Sequence, residues 1–135
     1  MEQKVGREVA EAEFERFVDT MDLDVDETRM DGEDRTSYRD LKERILRAIE
    51  HGHLVVDEKG QPVYTPRAGT QAQPIIFHEP TGASFMAMDS KKKDQNVAKM
   101  YAVMADMTHL DAKVFASMAA RDLKICQALV TLFLG

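Results

Sequence analysis

The chain has 135 residues, a formal net charge of −6, 44% hydrophobic and 31% charged residues, and a single cysteine. That is the length of one domain with enough apolar material for a core, and a lone cysteine excludes an internal disulfide and fits a reducing compartment. No apolar run approaches the roughly 18 residues a membrane span needs, the first residues lack the apolar segment of a secretory signal, and the acidic balance argues against a nucleic-acid partner.

Residues 7–21 are expected to form the first helix, because Ala10, Phe14, Phe17, Val18 and Met21 recur at spacings of three and four. The stretch Asp22-Leu23-Asp24-Val25-Asp26-Glu27 ends it. A second helix is expected over about 36–51, capped by Thr36 or Ser37, with Asp40 completing a capping box. Tyr38, Leu41, Ile45, Leu46 and Ile49 form its apolar stripe, and Gly52 suits its end. His53 to Asp57 and Gln61 to Thr65 flank a glycine-containing turn and read as a hairpin. Pro62 argues that its strand lies at an edge. Residues 66–73 lack periodicity and read as a loop. A third strand is expected over 74–79, broken by Pro80-Thr81-Gly82.

The last third reads as helical. A short turn of helix is expected over Ala83 to Met88, and a longer one over about 94–107 with Val97, Met100, Tyr101, Met104 and Met107 on one face. Leu110, Val114, Phe115 and Met118 suit a short helix, and residues 120–134 a final one that is apolar nearly all round in its second half. The expected fold class is therefore α+β. It is a mainly helical single domain with a small antiparallel sheet, the hairpin near 53–65 plus the strand near 74–79. Three segments make it up: an acidic helical extension over 1–52, the hairpin and loop over 53–73, and a helical segment over 74–135.

Charge is unevenly spread along these segments. Residues 1–34 carry 13 acidic and 4 basic side chains (−9), and residues 35–135 carry 11 and 14 (+3). The basic run Lys91-Lys92-Lys93, followed by Asp94, is too short for a phosphate-binding patch and reads as a solvated loop.

Few residues point to chemistry. Asp22, Asp24, Asp26 and Glu33 fall at positions 1, 3, 5 and 12 of a calcium loop, but Glu27 stands where that loop needs glycine and Arg29 where it packs an apolar residue. A solvated acidic connector is the plainer reading. His51 and His53 have no second ligand pair at zinc spacing, and a histidine at a helix end is explained by the helix dipole. Cys126 lies on an apolar helix face and reads as a buried structural thiol. No phosphate-cradling glycine loop or nucleophile elbow is present. The chain is thus expected to bind another protein, with no catalytic residue, no cofactor and no metal. Six of its nine methionines, Met86, Met88, Met100, Met104, Met107 and Met118, cluster between residues 86 and 118. Methionine fills irregular cores, and it also lines adaptable binding surfaces.

A set of short motifs runs through the C-terminal part: the strand end Phe77-His78-Glu79-Pro80-Thr81-Gly82, an Ala/Met/Asp segment through Asp89, Met107-Thr108, Phe115-Ala116-Ser117-Met118-Ala119-Ala120-Arg121-Asp122, and the closing Leu132-Phe133-Leu134. Over about residues 73–135 the chain resembles the tail assembly chaperones of long-tailed bacteriophages and prophages. In that family the strand end reads R-E-P-T and an L-x-x-x-D step precedes the last helix; here His78 and Met118 replace the Arg and the Leu. The resemblance implies a protein of the bacterial cytoplasm that keeps the long, helical tape-measure protein soluble until tail-tube subunits polymerise around it, without cofactor or membrane. A structural adaptor retained in the phage particle, such as a tail or head–tail connector component, is the alternative; a calcium-responsive binding module is a third.

The expected client surface combines Met86 and Met88 with Leu129, Leu132 and Phe133. Residues 129–134 sweep more than one helical turn, so some of their apolar side chains are expected to point away from the domain. A homo-oligomer would be the other way to cover them. Asp122 is expected to sit in the first turn of the last helix and to meet its unpaired N–H groups.

Overall fold

The computed structural model describes residues 4–67, 73–89, 91–93 and 95–134. Helix α1 spans Arg7–Thr20 and α2 spans Gly32–Glu50, with a 3-10 turn over Glu27–Arg29 between them. Strands β1 (Leu54–Val56), β2 (Pro62–Tyr64) and β3 (Ile75–Ile76) follow. Then come helices α3 (Gly82–Asp89), α4 (Asn96–Thr108), α5 (Ala112–Ala116) and α6 (Ala120–Leu134). The class is mainly helical α+β, as expected.

Alternation explains the acidic connector. Leu23 and Val25 turn inward and pack on the core, while Asp22, Asp24 and Asp26 face solvent. The carboxylates serve the backbone around them: Asp26 Oδ1 accepts from the Thr28 N–H at 3.0 Å and from its hydroxyl at 2.6 Å. Those hydrogen bonds hold the Asp26 carboxyl below its usual range. The second helix starts four residues before the expected boundary. Asp31 is its cap, with Oδ1 accepting from the Asp34 N–H at 2.8 Å, and Glu33 and Asp34 fill the first turn, where the helix dipole favours them. Thr36, expected as the cap, instead donates its hydroxyl to the Gly32 carbonyl inside the helix. At the other end Gly52 takes a left-handed φ of 79°. Its N–H donates to Ile49 and that of His53 to Ala48, the paired bonds of a Schellman stop.

The sheet has the order β1-β2-β3 and is antiparallel throughout. Pro62 therefore lies in the central strand, contrary to the edge position its ring suggested. It is tolerated because it is the first residue of β2, where the ladder needs little from its nitrogen, and its carbonyl accepts from the Phe77 N–H at 2.9 Å. The hairpin turn closes on Gly60 at φ 78°. A Cβ there would stand 2.4 Å from the Thr20 methyl, so the turn abuts the end of α1 as only glycine can. The strand expected over 74–79 is reduced to Ile75–Ile76. Of the loop over 66–73, residues 68–72 lie outside the described residues, as does Asp94.

One core joins these elements. Phe14 and Phe17 from α1, Ile45 and Ile49 from α2, Leu54, Tyr64 and Ile75 from the sheet, and Met104, Met107, Phe115 and Leu129 from the later helices all belong to it. The acidic N-terminal segment shares this core with the C-terminal helices. Arg7 fastens α1 to α2 through a two-pronged pair with Glu43 at 3.0 and 2.8 Å and a third bond to buried Glu50 at 2.8 Å. No described helix is long and apolar enough to cross a membrane.

Candidate apolar interaction site

Helix α3 has the sequence GASFMAMD, with one charge in eight residues. Such a helix ordinarily buries itself. Here only Ser84 is buried, and Phe85 and Met86 are 47% and 74% exposed. The helix is nonetheless firmly placed. Thr81 caps it, its hydroxyl oxygen accepting from the Ala83 N–H at 3.2 Å, and the Ser84 hydroxyl accepts in return from the Thr81 N–H at 3.0 Å. The same hydroxyl donates to Asp106 on α4. A polar tie thus holds α3 against α4 with Phe85 and Met86 turned outward. Val97, at the start of α4, is 65% exposed as well, above a shallow groove lined by Gln95, Asn96, Ala98 and Tyr101.

Of the five residues of the expected surface, one is exposed. Met86 is open to solvent, whereas Met88 is half-buried and packs on the core. Leu129 and Leu132 are buried, and Phe133 is half-buried with its ring edge-on to Phe17 at 5.3 Å. The geometric argument for exposure failed because α6 is central. Partners on several sides, α2 and α4 among them, take up a sweep of side chains that one neighbour could not. Thr131 is the position that faces outward. Met104 and Met107 are core residues, so the methionine cluster divides between filling and surface.

A second apolar row went unread in the sequence. Val55, Val63 and Ile76 stand opposite one another across the three strands on the outer face of the sheet, with Val55 and Ile76 exposed. The inner row Leu54, Tyr64 and Ile75 is buried. Strands apolar on both faces carry the signal, but three-residue strands are too short for it to stand out.

Asp122, expected to meet the unpaired N–H groups of its own helix, bonds across to the hairpin. It is fully buried near the start of α6, and its Oδ1 accepts from the Tyr64 hydroxyl at 2.6 Å and from the Arg67 N–H at 2.8 Å. This carboxylate ties the last helix to the hairpin; burial, and then the bond to Asp122, drive the Tyr64 hydroxyl pKa well above its ordinary value. Cys126, one turn further on, is buried, and burial with the neighbouring Asp122 charge pushes its thiol up to about 12. A thiol so placed is a poor nucleophile.

The histidines are brought together in a pair that no spacing foretold. The His78 and His109 rings stack at 4.4 Å and 16°, one after β3 and the other ending α4 in a left-handed conformation. The Gln61 amide lies 3.1 Å from His78 Nδ1, where its N–H can donate to the neutral ring. Burial, then the neighbouring His109, hold the His78 pKa below its ordinary value. Among the described residues, no three His, Cys, Asp or Glu side chains come together as metal ligands do. No family model, curated protein or solved structure matches the chain.

Proposed function

We propose that this chain is a binding protein of the tail assembly chaperone type, with α3 and the start of α4 as the surface offered to a helical, aggregation-prone client such as a tape-measure protein. The observation that carries the reading is Met86 and Phe85, held outward on a capped helix that buries only Ser84. Exposed apolar anchors on a rigid helix are what helix-in-groove recognition uses. The flexible Met86 side chain suits a client of varied sequence. The acidic outer faces of α1 and of the connector supply the charge that keeps such a complex in solution.

The resemblance over residues 73–135 adds the identity of the client. The test is co-expression with a tape-measure-like protein, comparing the natural chain with Phe85→Ser/Met86→Ser. The reading expects a folded variant that leaves the client in the pellet. A folded variant that protects the client as well as the natural chain would refute it. The structural adaptor is the second reading, and the outer sheet row Val55, Val63 and Ile76 favours it, because a permanent subunit needs a further apolar face to bury. A stable homo-oligomer that covers this row, measured by light scattering with Val55→Lys as the disrupting variant, would decide for the adaptor.

A further inference from the structure

A strongly charged concavity lies away from α3. The second half of α2, the start of β1, the end of β2 and the first turn of α6 enclose a cleft of about 490 Å³. Its rim carries Arg44, Arg47, Arg67 and Arg121 with His51 and His53, set against Asp40 and Glu43. Ala48, Tyr64 and Ile125 also line it. Four guanidinium groups line the cleft with two carboxylates, and the buried Asp122 carboxylate, bonded to the Tyr64 hydroxyl and the Arg67 N–H, lies against it.

Three carboxylates, Asp40, Glu43 and Asp122, stand against four guanidinium groups and are outnumbered by them. Glu43 is engaged by Arg7 and by Arg47, the latter at 3.0 Å. Arg44, Arg67 and Arg121 appear in no ion pair among the described residues. These three cations are solvent-exposed, so water and salt screen their mutual repulsion, and a bound anion would add a counter-charge to them. The fold brings them together. Arg44, Arg47 and His51 share one face of α2, the Asp122 carboxylate holds the Arg67 backbone through its N–H, and Arg121 precedes Asp122 on α6. The positive field is felt by His53, whose pKa is lowered by burial and then by Arg67 and His51. The cleft has the volume of a small-molecule site.

We propose that this cleft binds a small, multiply charged phosphate compound, with Arg44, Arg67 and Arg121 as its ligands. The planar fork of arginine matches phosphate oxygens in pairs, and unpaired guanidinium groups give up little to engage them. Ala48 and Ile125 offer an apolar wall to whatever the phosphate carries.

The experiment is a titration of the full chain with pyrophosphate, followed by the imidazole resonances of His51 and His53. Inorganic phosphate and citrate are run at equal ionic strength. Saturable binding is expected at millimolar concentration or below, together with a rise in the His53 pKa, because a bound anion favours the imidazolium. The order expected is pyrophosphate over inorganic phosphate over citrate. Arg44→Gln/Arg121→Gln should weaken binding by about tenfold or more, the loss of at least one charge-assisted hydrogen bond. The melting temperature should hold, since neither side chain has an ion-pair or hydrogen-bond partner among the described residues. Equal response to all three anions would mean ionic screening and overturn the proposal. So would citrate binding more tightly than pyrophosphate, a variant that binds unchanged, or resonances that do not move.

Discussion

Helices α3 and α6 are both apolar, yet they end in opposite environments. Helix α6 reads as the exposed one, because its apolar residues exceed a single face. It is in fact enclosed, with Leu129 and Val130 fully buried and only Thr131 turned outward in that stretch. Helix α3 reads as a short turn of helix that adds Met86 and Met88 to the expected client surface, and it leaves Phe85 and Met86 in solvent. The number of neighbours decides this difference, and composition does not. Helix α6 starts from the buried Asp122 tie and runs through the core, whereas α3 has α4 as its main support. A surplus of apolar residues on a helix thus marks a client surface only where the topology leaves a side without a neighbour.

The contrast can be broken most forcefully from the α6 side. Leu129→Ala should cost about 2–5 kcal/mol, the range for a buried leucine whose cavity cannot fully collapse, and chemical denaturation would show it as a lowered midpoint. If Leu129 were a surface anchor the midpoint would barely move. Asp122→Ala should cost about 2–4 kcal/mol, because it orphans the Tyr64 hydroxyl and the Arg67 N–H at roughly 1–3 kcal/mol each. Asp122→Asn, which keeps an acceptor, should recover much of that loss. Equal effects from the two variants would show that the carboxylate charge matters more than the hydrogen bonds.

Acidity should sharpen the comparison with a smaller effect. His53 and His78 both have folded pKa values below 6.5, so the unfolded chain binds the protons that the folded one refuses. The histidine contribution is therefore flat above pH 6.5 and declines as the pH falls from there toward the folded values. The Glu43 carboxyl, lowered chiefly by its bond from Arg7, adds stability above its ordinary 4.5 that is lost only at lower pH. The two phases are separable by urea melts across the range, and His78→Phe should flatten the upper one. An unchanged slope in that variant would remove the stacked pair from the account. Smallest of all, Met86→Ser should alter stability by no more than about 0.5 kcal/mol, as exposed positions do.

Much of this architecture was legible in the chain. The stripes of α1 and α2, the Gly52 stop, the hairpin around Gly60 and all four later helices follow from spacing and turn chemistry. What escaped depends on distant partners. Asp31 was hidden inside an acidic run that looked like a connector. Pro62 in a central strand needed knowledge that β3 is only two residues long. The burial of Leu129 and Leu132 required the positions of α2 and α4. Arg44 and Arg47 advertise a basic face of α2, but Arg67 and Arg121 join them only through the fold. The outward side of α3 was half visible, since Met86 was singled out and Phe85 was not.

The central claim, that the exposed face of α3 is the client surface and α6 is core, is tested most directly by labelling the methionine methyl groups. Their resonances are then followed while a helical tape-measure-like segment is added. The account predicts that the Met86 methyl shifts or broadens saturably, while Met104 and Met107 stay where they are. A saturable shift of the core methyls with Met86 unmoved would contradict it.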